Sequence, residues 1–515
     1  MIMKNLNRRY STTLKLIVVF AVVALLNSAC SKDFLDRPTQ GEYTEGTYPY
    51  TPGSGPYDPT IFEAYNGLRA YGVHAIGFVA ATSIRSDDAD KGSTPADGPS
   101  SKQFDDFEMT PTNGLLNIMW TDHYNLIERC NRILKEIRLD QSPLTDPAAK
   151  LSGQAEARFL RAYAYFMMVR YFGNIPLIDS IPDDESSSLN VPQSTPAQIY
   201  NFIENDLQFA AANLPPSWES KYIGRVTKGA AYGLLAKVYI TQSKWGPAKN
   251  AAEMVINSKQ YDLSTKYDDI FSEIGENSKE SVFEVQATVT DTEKRGKYGV
   301  QYASDQGVRG ISLGSQWNLG NGFNSPSLLL VNAYEAGDPR KNRTILTSPG
   351  TTYYNEQLGT LTGMAPRFNQ KVLSSPAYRS KYRDTFGWWM NVRILRYADV
   401  VLMYAEAANE LGGAENTQEA LEKLEMVRFR ARNGRTDILP KVVTTDQEEL
   451  RQAIRHERRI ELAMEHDRFY DLVRWGIAGQ VLQSAGKNFV TGRDELLPIP
   501  QAQRDISNLT QNFGW

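Results

Sequence analysis

Between Arg396 and Leu411 the apolar residues Val400, Met403, Tyr404, Ala407, Ala408 and Leu411 recur three or four positions apart, which predicts a helix with one apolar face. The same period runs through Leu126, Cys130, Ile133, Leu134 and Ile137, and again through Ala231, Leu234, Leu235, Val238 and Tyr239. Amphipathic helices of this kind must bury their stripes against one another. Two of the stripes belong to pairs with matching spacing. Ala236, Tyr239, Ala248 and Ala252 stand at the same offsets as Ala408, Leu411, Ala420 and Leu424, a tetratricopeptide-like repeat. The small residues let two antiparallel helices approach closely, with Tyr239 and Leu411 filling the groove between them, and Gly412-Gly413 supplies the break in the second pair. Helical pairs are thus expected within 61–260 and 392–480.

The rhythm fails over about 261–391. This stretch holds one strand-like run, Ser281 to Ala287, many glycines and prolines, and aromatics outside any helical period: Tyr298, Tyr302, Trp317, Phe323, Tyr353, Tyr354, Trp388 and Trp389. Disordered segments are poor in aromatics, so an ordered, loop-built lobe on a helical base is predicted. Long ordered loops are usually functional.

The two ends of the chain behave differently from its middle. The first fifteen residues carry Lys4, Arg8, Arg9 and Lys15 without an acid, and Leu16 to Leu26 is unbroken hydrocarbon. That is the layout of a signal peptide, and it is about half the ~20 residues a spanning helix needs. The run closes on Leu26-Asn27-Ser28-Ala29-Cys30, which resembles a lipobox, with Asn27 standing where Leu is usual. Residues 1–29 are therefore expected to be removed and Cys30 lipidated. Residues 30–60, rich in Pro, Gly, Thr and Tyr, read as a tether, with the fold starting near Ile61.

Charge and composition then narrow the function. Residues 1–29 hold four basic and no acidic residues, so their loss leaves 52 basic against 60 acidic side chains and a net charge of −8. The densest cationic stretch, Arg455 to Arg468, is interleaved with Glu457, Glu461, Glu465 and Asp467, so the basic face of a nucleic-acid binder is missing. Once Cys30 is used only Cys130 remains, so no intrachain disulfide can form, and its apolar stripe predicts a small buried hydrophobe.

Catalytic signatures fail on inspection. His456-Glu457 begins an HExxH pattern, but Ile460 stands where the second zinc ligand belongs. Gly310-Ile311-Ser312-Leu313-Gly314 matches GxSxG, yet Ser315 to Gly320 reads as loop rather than the helix a nucleophile elbow needs. No carboxylate pair stands out for glycoside hydrolysis. In the charged helix predicted over Leu450 to Trp475, Glu457, Glu461 and Glu465 lie one turn apart beside Arg458 and Arg468, which predicts a structural ion-pair network along the helix.

Several ordered stretches resemble the SusD/RagB family, lipoprotein partners of TonB-dependent transporters in the Bacteroidetes outer membrane. They are Cys30 to Asp36 (CSKDFLD), Trp120 to Leu134 (WTDHYNLIERCNRIL), Ala155 to Pro176 (AEARFLRAYAYFMMVRYFGNIP), Arg396 to Ala408 (RYADVVLMYAEAA), His456 to Trp475 (HERRIELAMEHDRFYDLVRW), and the ending Leu496 to Pro500 (LLPIP), Asn508 to Asn512 and Gly514. The resemblance implies a mostly α fold of about four tetratricopeptide-like helix pairs, with a loop-rich lobe holding a few short strands and a C-terminal segment over 480–515. It also implies oligosaccharide capture at the cell surface, without catalysis or cofactor, by a lid over a SusC-like transporter. A minority of members capture peptides, which is the alternative reading. A surface glycoside hydrolase and a purely structural adaptor are the others.

A pyranose stacks its C–H face on an aromatic ring while carboxylates and amides accept from its hydroxyls. On exposure logic the ring platforms are expected at Trp317 and Phe323, in a Gly/Asn-rich loop, then at Trp388 or Trp389 and Tyr298. The polar candidates are Asp87, Asp88 and Lys91, in the loop Ser86 to Gly92.

Overall fold

The computed structural model describes residues 53–142, 145–181, 191–289, 295–310 and 315–515. The expected signal peptide, the lipidation site Cys30, most of the tether and Ser312 lie outside the described residues. Eight helices stack in chain order: α1 Gly114–Leu139, α2 Pro147–Phe172, α3 Pro196–Asn213, α4 Lys228–Thr241, α5 Trp245–Asn257, α6 Tyr397–Leu411, α7 Ala414–Arg432 and α8 Gln447–Glu461. Side chains start most of them by accepting from a free amide of the first turn. Asn113 accepts from Leu115, Asp146 from Ala148, Thr227 from Ala230 and Asp446 from Glu449, while Thr195 and Gln198 form a reciprocal capping box. No described helix is long and apolar enough to cross a membrane.

The small residues of the two aligned pairs do close the array. Ala236, Ala248 and Ala252 are buried where α4 meets α5, and Ala408 and Ala420 where α6 meets α7. Tyr239 is buried as well, but Leu411 is 45% exposed. It is the last residue of α6, and the chain reverses through Gly412 (φ +70) and Gly413 (φ +86) before α7 can cover it. Cys130 is fully buried and its thiol is pushed up to about 12 by burial.

Residues 258–396 are an insertion between α5 and α6, yet α5 packs directly on α6. The lobe therefore leaves and re-enters the array at one place. Its root is an antiparallel pair, β2 Ser281–Val285 with β4 Val392–Arg396, and β4 runs straight into α6. A second pair joins distant segments: β1 Ala89–Gly92 lies antiparallel to β3 Phe323–Pro326, with Ala89 opposite Pro326 and Gly92 opposite Phe323. The lobe also has a small core of its own, built from Val308, Trp317, Leu319, Leu346, Leu358, Phe368 and Leu373.

Two boundaries differ from expectation. Packed structure already precedes Ile61. Ser54 and Tyr57 are buried, because Ser54 donates to Glu156 (2.6 Å) and Arg225 pairs with both Glu156 (2.5 Å) and Asp58 (2.9 Å). A Pro/Gly-rich stretch thus docks through one buried arginine. The charged helix is also broken. α8 ends at Glu461, Met464 and His466 take positive φ (+65 and +73), and a new helix, Arg468–Arg474, follows.

Glu457, Glu461 and Glu465 find their partners across the fold, whereas Asp471 pairs within the segment, with Arg458 (2.7 Å) and Arg474 (2.9 Å). Glu457 is met by Arg340 (2.5 Å) and Arg428 (2.9 Å). Glu461 takes Arg340 (3.1 Å), Arg396 (3.0 Å) and Arg430 (2.6 Å), and Glu465 takes Arg396 and Lys371, both at 2.6 Å. Lobe and array are thereby riveted by buried charge.

Candidate functional site

The polar candidates Asp87, Asp88 and Lys91 serve the fold. Both aspartates are buried beneath Arg459 and Arg468, with Arg468 Nε 2.8 Å from Asp87 and Arg459 Nη2 2.6 Å from Asp88. Burial works against both charges. At Asp87 the hydrogen bond and charge of Arg468 outweigh it and hold the carboxyl low, whereas at Asp88 burial wins and raises it. The Lys91 ammonium donates to the carbonyls of Thr94 and Asp97, both at 2.7 Å, and so closes its own loop. None of the three presents a free polar group to a ligand.

Two of the predicted platforms are also internal. Trp317 is only 7% exposed because the lobe's strands, absent from any helical pattern, wrap a core around it. Trp389 is buried against Tyr378 (centroids 4.9 Å) and near-parallel to Tyr382 (5.9 Å, 26°). Phe323 is a strand residue rather than a loop residue. It is half-buried, with its ring against Gly98, where a Cβ would stand 2.7 Å from the ring and the backbone has φ +57.

The remaining two candidates lie on segments joined through the backbone. Tyr298 and Trp388 are half-buried, and the backbone ties them together: Thr288 N–H donates to the Tyr298 carbonyl (2.9 Å) and Val300 N–H to the Trp388 carbonyl (2.9 Å). Trp388 N–H in turn donates to Asp384 (2.8 Å). Arg69, which feels the Tyr298 phenol electrostatically, donates to the Gln286 carbonyl (3.1 Å), and Tyr71 stands exposed two residues on. Gly387, just before Trp388, rests against Ala303 of the short helix Tyr302–Gln306.

That short helix links the aromatic face to a polar corner. The Asn321 N–H donates to the Ser304 carbonyl (2.7 Å) and its side-chain amide to Asp305 (3.2 Å). Beyond it, Arg309 donates to Ser93 (2.9 Å) and pairs with Asp97, on the loop that the β1–β3 pairing brings over. The half-exposed groups Arg309 and Asp97 can exchange hydrogen bonds with sugar hydroxyls. On the other side of Gln286 a groove of about 480 Å³ opens, lined by Trp218, Ile223, Arg225, Gln260, Tyr261 and Asn277, among others. Gln286 borders it through Gly224, where a Cβ would lie 2.3 Å from the glutamine.

Nothing in the sequence singles out Tyr71, Arg69, Arg309, Asp97 or Trp218. Each stands in a segment whose own period says nothing about surface position, and only the tertiary fold gathers them.

Beneath the face, burial pushes the Asp305 carboxyl up to about 7 against the help of Asn321 and the Ile76 amide. Burial and then Asp305 push the Tyr71 phenol up to about 12, so it stays neutral and able to donate. A carboxyl raised in the folded state binds a proton that the unfolded chain has lost, so stability falls as pH rises from about 4 to about 7. Asp305→Asn is therefore expected to leave the melting temperature near pH 4 unchanged and to raise stability at pH 8 by on the order of 2–4 kcal/mol. An equal effect at both pH values would contradict this.

Residues 279–515 match the model of the SusD family, and residues 64–240 match a SusD-like model described as starch-binding, associating with outer membrane. A SusD-like protein P2 of Formosa agariphila is 30% identical over 458 residues, covering 84% of this chain and 87% of the relative. Among solved structures, a laminarin binding SusD-like protein superposes with a TM-score of 0.73 at 29% identity, covering 89% of this chain and 98% of its own. A surface glycan-binding protein A from Bacteroides thetaiotaomicron, in complex with laminarihexaose, does so with a TM-score of 0.72 at 25% identity, covering 88% and 98%.

Proposed function

Because this chain belongs to the SusD family, we propose that it is a surface glycan-binding lipoprotein, anchored to the outer membrane through Cys30, that captures an oligosaccharide without cleaving it and serves as a lid for a SusC-like TonB-dependent transporter. The observation that carries the reading is the face formed by Tyr71, Tyr298 and Trp388. Tyr298 and Trp388 are both half-buried and linked through neighbouring backbone, Arg69 lies near the Tyr298 phenol and donates to the Gln286 carbonyl, and Tyr71 stands exposed two residues on. Rings of this kind stack on the C–H faces of successive sugars, and each adds a modest increment. Several such sites engaging one long polysaccharide raise the overall affinity.

The laminarin and laminarihexaose named for two similar structures make a β-glucan the first ligand to try. In native affinity gels containing laminarin, starch, xylan or pectin, the protein is expected to be retarded by laminarin. Retardation by none of them would overturn the reading. Release of reducing ends from a retarding polysaccharide would replace it with a hydrolase.

A further inference from the structure

Four Asn-Gly dipeptides occur in the chain, at Asn66, Asn113, Asn321 and Asn433. Glycine offers the least hindered backbone nitrogen to a preceding asparagine side chain, so each pair is chemically prone to cyclise, and its surroundings decide whether it can. Three are held by the fold. Asn66 and the buried Gly67 lie inside the helix Asp58–Gly67, with the Asn66 side-chain oxygen taken by Arg69 (2.6 Å). Asn113 is buried at the start of α1, where it accepts from Leu115 (2.9 Å) and donates to Ser100 (2.9 Å) and Gln103 (2.8 Å). Asn321 donates to Asp305, and the Gly322 N–H is committed to the Gly307 carbonyl (2.9 Å).

Asn433 is different. It is exposed, just past the end of α7, in the left-handed conformation (φ +48, ψ +44). Neither its side chain nor the Gly434 N–H makes a hydrogen bond among the described residues, and at Gly434 (φ +85) a Cβ would meet nothing within 4 Å. Bringing the Gly434 nitrogen onto Asn433 Cγ requires rotation about ψ, which releases the local bond from Arg435 N–H to the Arg432 carbonyl (3.0 Å). Helix ends open at little free-energy cost.

We propose that Asn433 is a self-modification site, the Asn-Gly pair that the native fold leaves free to deamidate. The Gly434 nitrogen gives up its proton to base and bonds to Asn433 Cγ, ammonia leaves, and a cyclic imide forms. Water opens the imide at either carbonyl, to aspartate or to isoaspartate with the main chain rerouted through Cβ. The net change consumes water, releases ammonia and adds one negative charge. Asn433 shares a hollow of about 160 Å³ with Arg430, which holds Glu280 (2.9 Å) and Glu461 (2.6 Å), so the new carboxylate arises beside the junction of lobe and array.

The full chain is held at pH 8 and at pH 5, digested in acid, and its Asn-Gly peptides are followed by mass spectrometry. Conversion at Asn433 is expected to run about tenfold or more ahead of the other three in the folded protein. It is expected to be faster at pH 8, because attack needs the deprotonated nitrogen, and to lose its lead in urea, where all the pairs are exposed. Asn433→Gln is expected to remove the acidic species that the native protein accumulates on anion exchange, and Asn433→Asp to mark its position. Both changes lie at an exposed helix end, and melting temperature checks that they fold as the native protein does. The proposal is overturned if Asn433 keeps its amide, if another Asn-Gly converts as fast in the folded protein, if the lead persists unchanged in urea, or if Asn433→Gln accumulates the same acidic species.

Discussion

Arg396→Met is expected to lower the stability of the fold by roughly 3–5 kcal/mol, the range for removing one partner from a buried charge cluster. Arg396 is 2% exposed and serves three acids at once, reaching Glu280 at 2.5 Å, Glu461 at 3.0 Å and Glu465 at 2.6 Å. Methionine fills a similar volume but leaves those carboxylates to Arg430, Arg340 and Lys371. Glu280 is the most vulnerable, because burial already raises its carboxyl above the usual range despite two arginines. Glu461 is the opposite case: burial opposes its charge, but Arg430, Arg396 and Arg340 hold it far below the usual range. A carboxyl depressed in the folded state contributes stability that is complete above its unfolded value of about 4.3 and is lost as pH falls below it. The native protein should therefore lose stability on acidification below that value. The penalty of Arg396→Met should shrink between pH 7 and pH 5, as Glu280 takes up a proton. Urea midpoints at pH 7, pH 5 and pH 3 read both effects, and a midpoint unmoved at pH 7 would show that the rivet is dispensable.

The second large effect concerns binding. Tyr298→Ala combined with Trp388→Ala is expected to abolish retardation by the polysaccharide that retards the native protein, a loss of about 2 kcal/mol or more for each ring that acts as a hot spot. The backbone links that hold the face, from Thr288, Val300 and Asp384, use main-chain atoms of the two residues and survive the change. Trp317→Ala is the control. Its ring fills the small lobe core, so the expected cost is about 3–5 kcal/mol of local packing, with retardation kept wherever the lobe remains folded. If the double variant were retarded as strongly as the native protein, the ligand would lie elsewhere, and the groove at Trp218 would be the next place to test.

The sequence by itself determined the helical array. Apolar period and small residues at fixed offsets are local properties, and Ala236, Ala248, Ala408 and Ala420 are buried where their spacing requires. It also determined that Cys130 would be a buried hydrophobe, that the ending resembled the SusD/RagB family, and that an aromatic-rich lobe would interrupt the repeat. Within that lobe the sequence named Tyr298 and Trp388 together with Trp317, Phe323 and Trp389, and had no means of separating them. Burial there depends on which segments pair. The β1–β3 ladder links residues over two hundred positions apart, and the lobe's small core gathers residues from Val308 to Leu373 with no common period. Charge followed the same rule. The spacing of Glu457, Glu461 and Glu465 pointed to partners along one helix, whereas Arg340, Arg396, Arg428 and Arg430 arrive from elsewhere in the chain. Only the tertiary structure could decide these matters, because exposure and ion pairing are set by what packs against a residue, and in a loop-built lobe those neighbours are distant in sequence.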